Sequence, residues 1–384
     1  MTKKFRTLAL ILGISLLTCA CEKTPTNDGE PLDTQINNTD PGDYDEKDKL
    51  DLLRPIAYNN VMGLNLEPGS CISIIGRYAG DSYWEEVEAG AEKAIEDMND
   101  MLHYKGDDKI KLSFNAPGIR DDMDEQVSIL DEELARYPIA ICISPVDTSA
   151  CLTQFELAEQ DAISIITFDS GSEYQEVGAH ISTNNKKASA TVAKNLAALM
   201  GESGQAALIV QDSLSMTAKD REQGFLEEIA KYPNISVPLI YHLDELEELA
   251  DQMRPGDSQD DSVKEDSISQ EDAILYLLEQ HPDLKAIYTT NLDTTQLVAD
   301  ALKEAEREDL IFVGYDGGEE QMELLEDEIV NGLIIQNPYG MGYATVVAAA
   351  RTALNLPNEA FVDSGFTWVT KDTMKDSLIQ KFIY

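Results

Sequence analysis

A set of polar residues recurs where apolar runs end in this chain. Asp81, Tyr83 and Trp84 open a helix-period stretch, and Asp169 closes the run Ser164–Phe168. Arg221 lies at the start of a second helical pattern, Asn291 follows Tyr288-Thr289-Thr290, Asp316 follows Leu310–Tyr315, and Gln336 ends Gly332–Ile335. Carboxylates, amides, one guanidinium and two aromatics make a poor catalytic set but a good clamp for a polyhydroxylated ligand. A carboxylate accepts from vicinal hydroxyls, Arg and Asn donate to a ring oxygen or hydroxyl, and aromatic rings stack on C–H faces.

These residues need elements that aim them. The runs Ile72–Gly76, Ile110–Phe114, Ile139–Ile143 and Ser164–Phe168 read as strands alternating with helices from Ser82, from Asp124 to Tyr137 and from Ser149 to Gln160. Nearly continuous apolar strands between helices imply a parallel sheet covered on both faces. The pattern then restarts, with helices over 188–199, 218–231, 273–280, 295–307 and 319–328. Strands fall between them at 206–210, 238–241, 286–289, 310–313 and 332–335. The expected fold is therefore α/β, with two doubly wound parallel-sheet lobes. In such sheets ligands bind beyond the carboxyl ends of the strands, where the polar tips stand.

Composition narrows the function classes. With 29 Lys and Arg against 72 Asp and Glu, the net charge is −43. That excludes the basic face a nucleic-acid binder needs and argues against adhesion to an anionic membrane. The amino terminus carries Lys3, Lys4 and Arg6 before an apolar core, Leu8–Leu17, too short to span a bilayer, which reads as a secretory signal over 1–21. Its end, Leu16-Leu17-Thr18-Cys19-Ala20-Cys21, resembles the lipobox of bacterial lipoproteins, with Cys21 behind the small Ala20 as the lipidation site and Cys19 as the alternative. Residues 22–70, rich in Asp, Asn, Pro and Thr, are expected to be a flexible acidic linker, with a short apolar patch around Ile56 and Val61 able to dock. A second acidic stretch between Leu243 and Glu271, centred on about 251–271, reads as a solvated surface insertion without EF-hand spacing. Cys71, Cys142 and Cys151 have no metal-ligand spacing, and His103, His180, His242 and His281 are scattered singly. No metal or cofactor is expected.

The strand-tip motifs, taken in order, resemble those of the type I periplasmic sugar-binding proteins, in their ribose-binding form, over Ile72 to about Val369. The matching stretches are Asp81-Ser82-Tyr83-Trp84, Ile143–Asp147, Ile166–Asp169, Ser182–Asn185, Arg221 with Gly224-Phe225, Asn291, Val313–Gly317 and Gln336. The resemblance implies sugar contacts from Asp81, Tyr83, Trp84, Asp169, Arg221, Asn291, Asp316 and Gln336. It also implies hinge crossings near Thr183, Gln336 and Ser364, which divide the chain into a lobe of 71–182 with 337–364 and a lobe of 183–336 with 365–384. Two positions depart from the family. Ser170 stands where ribose binders carry Arg, and Asp81 where they carry Asn, so a ligand bearing an amino group enters as a hypothesis. Arg77 is a candidate to restore the charge, and Arg77 and Ser170 are both candidate contacts. By resemblance the chain is a monomeric, lipid-anchored, extracytoplasmic binder that closes on a sugar and delivers it to an ABC permease. A sensor feeding a histidine kinase or chemoreceptor is the alternative, and a carboxylate-based glycosidase a weaker one. No catalytic residue is assigned.

Overall fold

A computed structural model describes residues 41–253, 268–307 and 309–384. The first lobe is built on strands β1 (Cys71–Ile75), β2 (Lys111–Asn115), β3 (Ala140–Ile143), β4 (Ser164–Phe168) and β5 (His180–Ser182). They lie in the order β2-β1-β3-β4-β5, followed by β11 (Phe361–Asp363). All pairings in this sheet are parallel. Helices α2 (Ser82–Leu102), α3 (Met123–Leu134), α4 (Leu152–Gln160) and α11 (Pro338–Ala353) cover its faces. The two-sided cover explains why β3 is buried at all four positions. Helices α2 and α11 pack closely because each presents a glycine: a Cβ on Gly90 would strike the Tyr339 carbonyl, and one on Gly342 the Val87 carbonyl.

The second lobe repeats the plan. Its strands are β6 (Gly204–Val210), β7 (Ile235–His242), β8 (Leu284–Thr289), β9 (Ile311–Tyr315), β10 (Gly332–Gln336) and β12 (Phe366–Val369), in the order β7-β6-β8-β9-β10-β12. Only β12 runs antiparallel, against β10. Pro238 sits in the edge strand β7, where a missing backbone donor is tolerated. The helices of this lobe are α5 (Asn185–Leu199), α6 (Met216–Ile229), α7 (Leu246–Met253), α8 (Gln270–Gln280), α9 (Leu292–Glu304) and α10 (Glu319–Glu326).

Three crossings join the lobes, as the sequence predicts: β5 into α5, β10 into α11, and β11 into β12. Their side chains tie the crossings together. Thr183 Oγ1 donates to Gln336 Oε1 at 2.8 Å, Asn337 Nδ2 donates to the Ser364 carbonyl at 2.9 Å, and the Ser364 amide donates to the Ser182 carbonyl at 3.0 Å. The short strands β5, β11 and β12, unseen in the sequence, exist to deliver the chain into these crossings.

The linker reading is corrected over 41–70. Residues Pro41–Asp51 form helix α1, and Leu53, Tyr58, Val61, Leu64 and Leu66 are buried in the first lobe's core. Val61, in the patch expected to dock, is buried with them, while Ile56 is exposed; the spacing of the set follows neither helix nor strand period. The segment also touches both lobes. Arg54 and Asp363 exchange backbone hydrogen bonds at 2.9 Å, and Lys381 of the second lobe reaches Asp48 at 2.6 Å. Leu53→Ala should therefore cost about 2–5 kcal/mol of unfolding free energy, the range for a fully buried leucine, read from a urea melt. A midpoint equal to that of the unaltered protein would return the segment to the status of a spacer.

The insertion reading is corrected at its flanks. Helix α7 buries Leu249 and Ala250, and α8 begins at Gln270, where Ser269 and Asp272 form a reciprocal cap. The segment between, 254–267, and the proposed signal and Cys21 lie outside the described residues. The three described cysteines are free thiols, and burial pushes Cys151 up to about 12, so it is inert at neutral pH.

Candidate functional site

The two sheets face each other with their carboxyl ends, and the residues just beyond those ends meet in a cleft of about 520 Å³ of empty space including its mouth. Arg77, Asp81, Tyr83, Trp84 and Asp169 line it from the first lobe; Arg221, Asn291, Asp316 and Gln336 line it from the second lobe and the hinge.

Two of these residues occupy equivalent places. Asp169 follows β4 and Asp316 follows β9, each the fourth strand of its sheet counted from β2 and β7. Both leave their strands with left-handed backbone, φ 55° and 73°, and each amide donates to the neighbouring strand, at 2.8 Å and 2.7 Å. Aspartate tolerates this conformation better than most residues, yet it still carries strain of about 1–3 kcal/mol. The turn takes each carboxylate off the strand's alternation and aims it into the cleft.

The surrounding side chains fix how each carboxylate is held. Tyr83 donates its hydroxyl to Asp169 Oδ1 and Ser144 donates to Oδ2, both at 2.9 Å. Asp316 Oδ1 accepts from Gln336 Nε2 at 2.7 Å and from the Tyr384 phenol at 3.1 Å, while Oδ2 accepts from the Leu292 amide at 3.0 Å. Among the described residues, neither carboxylate has a cation within 4 Å. Arg221 faces them from the second lobe. Its Nε donates to Asn185 Oδ1 at 2.8 Å and its Nη1 to the Thr290 carbonyl at 2.7 Å, and the guanidinium lies 4.1 Å from the centre of the Tyr315 ring. Burial raises the Asp316 pKa above the ordinary carboxylate value, against the opposing pull of Arg221, Gln336 and Tyr384.

Other expected contacts have structural duties. Asp81 caps α2 through the Trp84 amide and also pairs with Arg120 at 2.6 Å, so each of its oxygens carries one structural partner. Asn291, which lines the cleft, caps α9 with its oxygen, and its amide nitrogen donates to Asp293 Oδ2 at 3.4 Å. Trp84 is largely core, edge-on to Tyr83 and Phe168, with one part lining the cleft. Gln336 spends its oxygen on the hinge and its nitrogen on Asp316. Ser170 does not line the cleft; its hydroxyl is buried and has no hydrogen-bond partner among the described residues. Arg77 does line it, held at 2.6 Å by Asp121 of its own lobe and at 3.6 Å by Asp212 of the other.

Several cleft residues were not legible beforehand: Arg120, Asp121, Gln211, Thr217, Leu292 and Asp293. Arg120 and Asp121 stand in the loop after β2, so extending the strand-end rule to the edge strand would have found them. Arg120 bridges Asp81 to Asp293 of the second lobe at 3.2 Å, over the Tyr78 ring. Such a half-exposed interlobe pair is worth about 0–1 kcal/mol. Arg120→Gln should therefore weaken ligand binding less than about fivefold, with the difference fading at high salt because exposed pairs are screened. Calorimetry at two ionic strengths checks this, and a salt-independent loss would instead place Arg120 on the ligand.

The comparisons with known proteins agree with this geometry. Residues 72–355 match the family model described as periplasmic binding protein domain. The ribose import binding protein of Escherichia coli (strain K12) is 22% identical over 298 residues, covering 78% of this chain and 90% of that protein. A D-apiose import binding protein of Actinobacillus succinogenes is 27% identical over 203 residues, covering 52% of this chain and 58% of that one. Among solved structures, a carbohydrate transporter solute-binding protein from Agrobacterium radiobacter, in complex with D-arabinose, superposes with a TM-score of 0.68. It is 25% identical, with 82% of this chain and 99% of that chain covered.

Proposed function

We propose that this chain, which belongs to the periplasmic binding protein family and to its type I sugar-binding branch, captures a monosaccharide between its lobes by closing at the hinge. The observation that carries the reading is the pair of equivalent carboxylates, Asp169 and Asp316, aimed from opposite lobes into one cleft with Arg221 facing both. Only closure brings groups from the two lobes onto one ligand. The ligand stabilises the closed form by its differential affinity for it. A micromolar dissociation constant corresponds to about −8 kcal/mol. A few hydrogen bonds to charged groups, at about 1.5–3 kcal/mol each, supply that after closure costs.

In this reading Cys21 carries the lipid anchor outside the cytoplasmic membrane, and the closed, monomeric form delivers its sugar to an ABC permease. The curated relatives are named as import binding proteins, which supports transport over glycosidase chemistry. Calorimetry against neutral and amino aldoses, with scattering in parallel, tests the capture step. A sugar that binds and contracts the molecule supports it; no binding across the panel overturns it. For the anchor, Cys21→Ser should move the protein from the membrane fraction to the medium and abolish fatty-acid labelling. Labelling that persists in the variant would reject Cys21.

A further inference from the structure

The two equivalent carboxylates are not equally available to a ligand. An ionised carboxylate has about four acceptor positions, two on each oxygen. Asp169 has one filled on each oxygen, by Tyr83 and Ser144. Asp316 has both filled on Oδ1, by Gln336 and Tyr384, and one on Oδ2, by the Leu292 amide. The residue that breaks the symmetry is Tyr384. Its phenol donates to Asp316 and accepts from the Gly317 amide at 3.3 Å, while its own amide donates to the Gly317 carbonyl at 3.2 Å. Its ring meets Tyr83 edge-on at 5.6 Å and packs against the cores of both lobes.

From this geometry we infer that Tyr384 is a specificity-determining positioning residue. By occupying the second position on Oδ1, it restricts Asp316 to one ligand hydroxyl, offered through Oδ2. Asp169 keeps one position on each oxygen and is the carboxylate that takes a pair of adjacent hydroxyls. The cleft thus selects a sugar with a vicinal diol toward the first lobe and a single gripped hydroxyl toward the second. This rests on the sugar-binding function proposed above.

Tyr384→Phe keeps the ring and removes the phenol, opening a position on Asp316. Two measurements on the full chain decide the matter. The first is a carboxyl-carbon NMR titration of the ligand-free protein. Asp316 faces Arg221, Asp169, Gln336, Tyr83 and Tyr384, and loss of one donor to its ionised form should move its midpoint upward. The second is the order of affinities across D-ribose, D-arabinose, D-xylose and D-glucose. The ratio between at least two of them should change about tenfold, the scale of one hydrogen bond to a charged group. An unchanged midpoint overturns the inference, as does a uniform loss across all four sugars, which is what mere packing would give. If the unaltered protein binds none of the sugars, the proposed function falls, while the titration still decides whether Tyr384 holds Asp316.

Discussion

Asp316→Asn is expected to reduce sugar affinity by about a hundredfold while changing ligand-free stability by about 1 kcal/mol or less. The loss combines a charge-assisted hydrogen bond to the ligand, about 1.5–3 kcal/mol, with an amide –NH2 turned toward donors that the carboxylate accepted from. Asparagine suits this position better than alanine because the backbone is left-handed, at φ 73°, where asparagine is tolerated and a Cβ without a polar group is strained. The small stability change follows from the raised pKa. Asp316 binds its proton more tightly in the folded protein than in the unfolded chain, so its contribution favours the fold below about pH 4, its ordinary pKa, and is lost as pH rises through the folded value. At neutral pH its charge is a cost the fold carries for function, and asparagine relieves it while giving up hydrogen bonds. The same linkage makes sugar affinity decline as pH falls through the raised value, since the neutral acid loses acceptor strength. Urea melts and calorimetry between pH 4 and 8 check both. A large stability loss with affinity retained would make Asp316 a structural residue.

Arg221→Met should abolish binding and also cost about 1–3 kcal/mol of stability for each buried acceptor left without its donor. Asp169 and Asp316 are both buried, and Arg221 acts on both through space. Methionine fills the volume but leaves the Asn185 oxygen and the Thr290 carbonyl without their donor. Lysine should not rescue the site, because the flat guanidinium is stacked on Tyr315 while donating from two nitrogens in a fixed fork. A melt in which Arg221→Met is as stable as the unaltered protein, with binding intact, would remove Arg221 from the account.

The fold was legible because buried parallel strands write themselves as apolar runs. Ile72–Ile75 and Ile139–Ile143 leave little choice of element. Three kinds of feature escaped. Segments without period, such as Leu53 to Leu66, are buried by contact with the finished lobe, and only the apolar patch around Val61 stood out locally. Strands of three or four residues, β5, β11 and β12, are too short to show alternation. Within the site, residue types pointed to the right places but not to the duties. Asp81 looked like a ligand carboxylate alone, yet it also caps a helix and pairs with Arg120. Ser170, adjacent to Asp169, is turned into the protein because the left-handed residue before it redirects the chain. Tyr384 lies at no strand tip and carried no motif, so only tertiary contact places it on Asp316.

Mass spectrometry of the small molecules released from protein purified without refolding, run beside Asp316→Asn prepared identically, tests the central claim most directly. The expected result is a single monosaccharide, near one per chain, from the unaltered protein and none from the variant. Equal amounts of the same sugar from both, or a non-carbohydrate ligand from the unaltered protein, would contradict it.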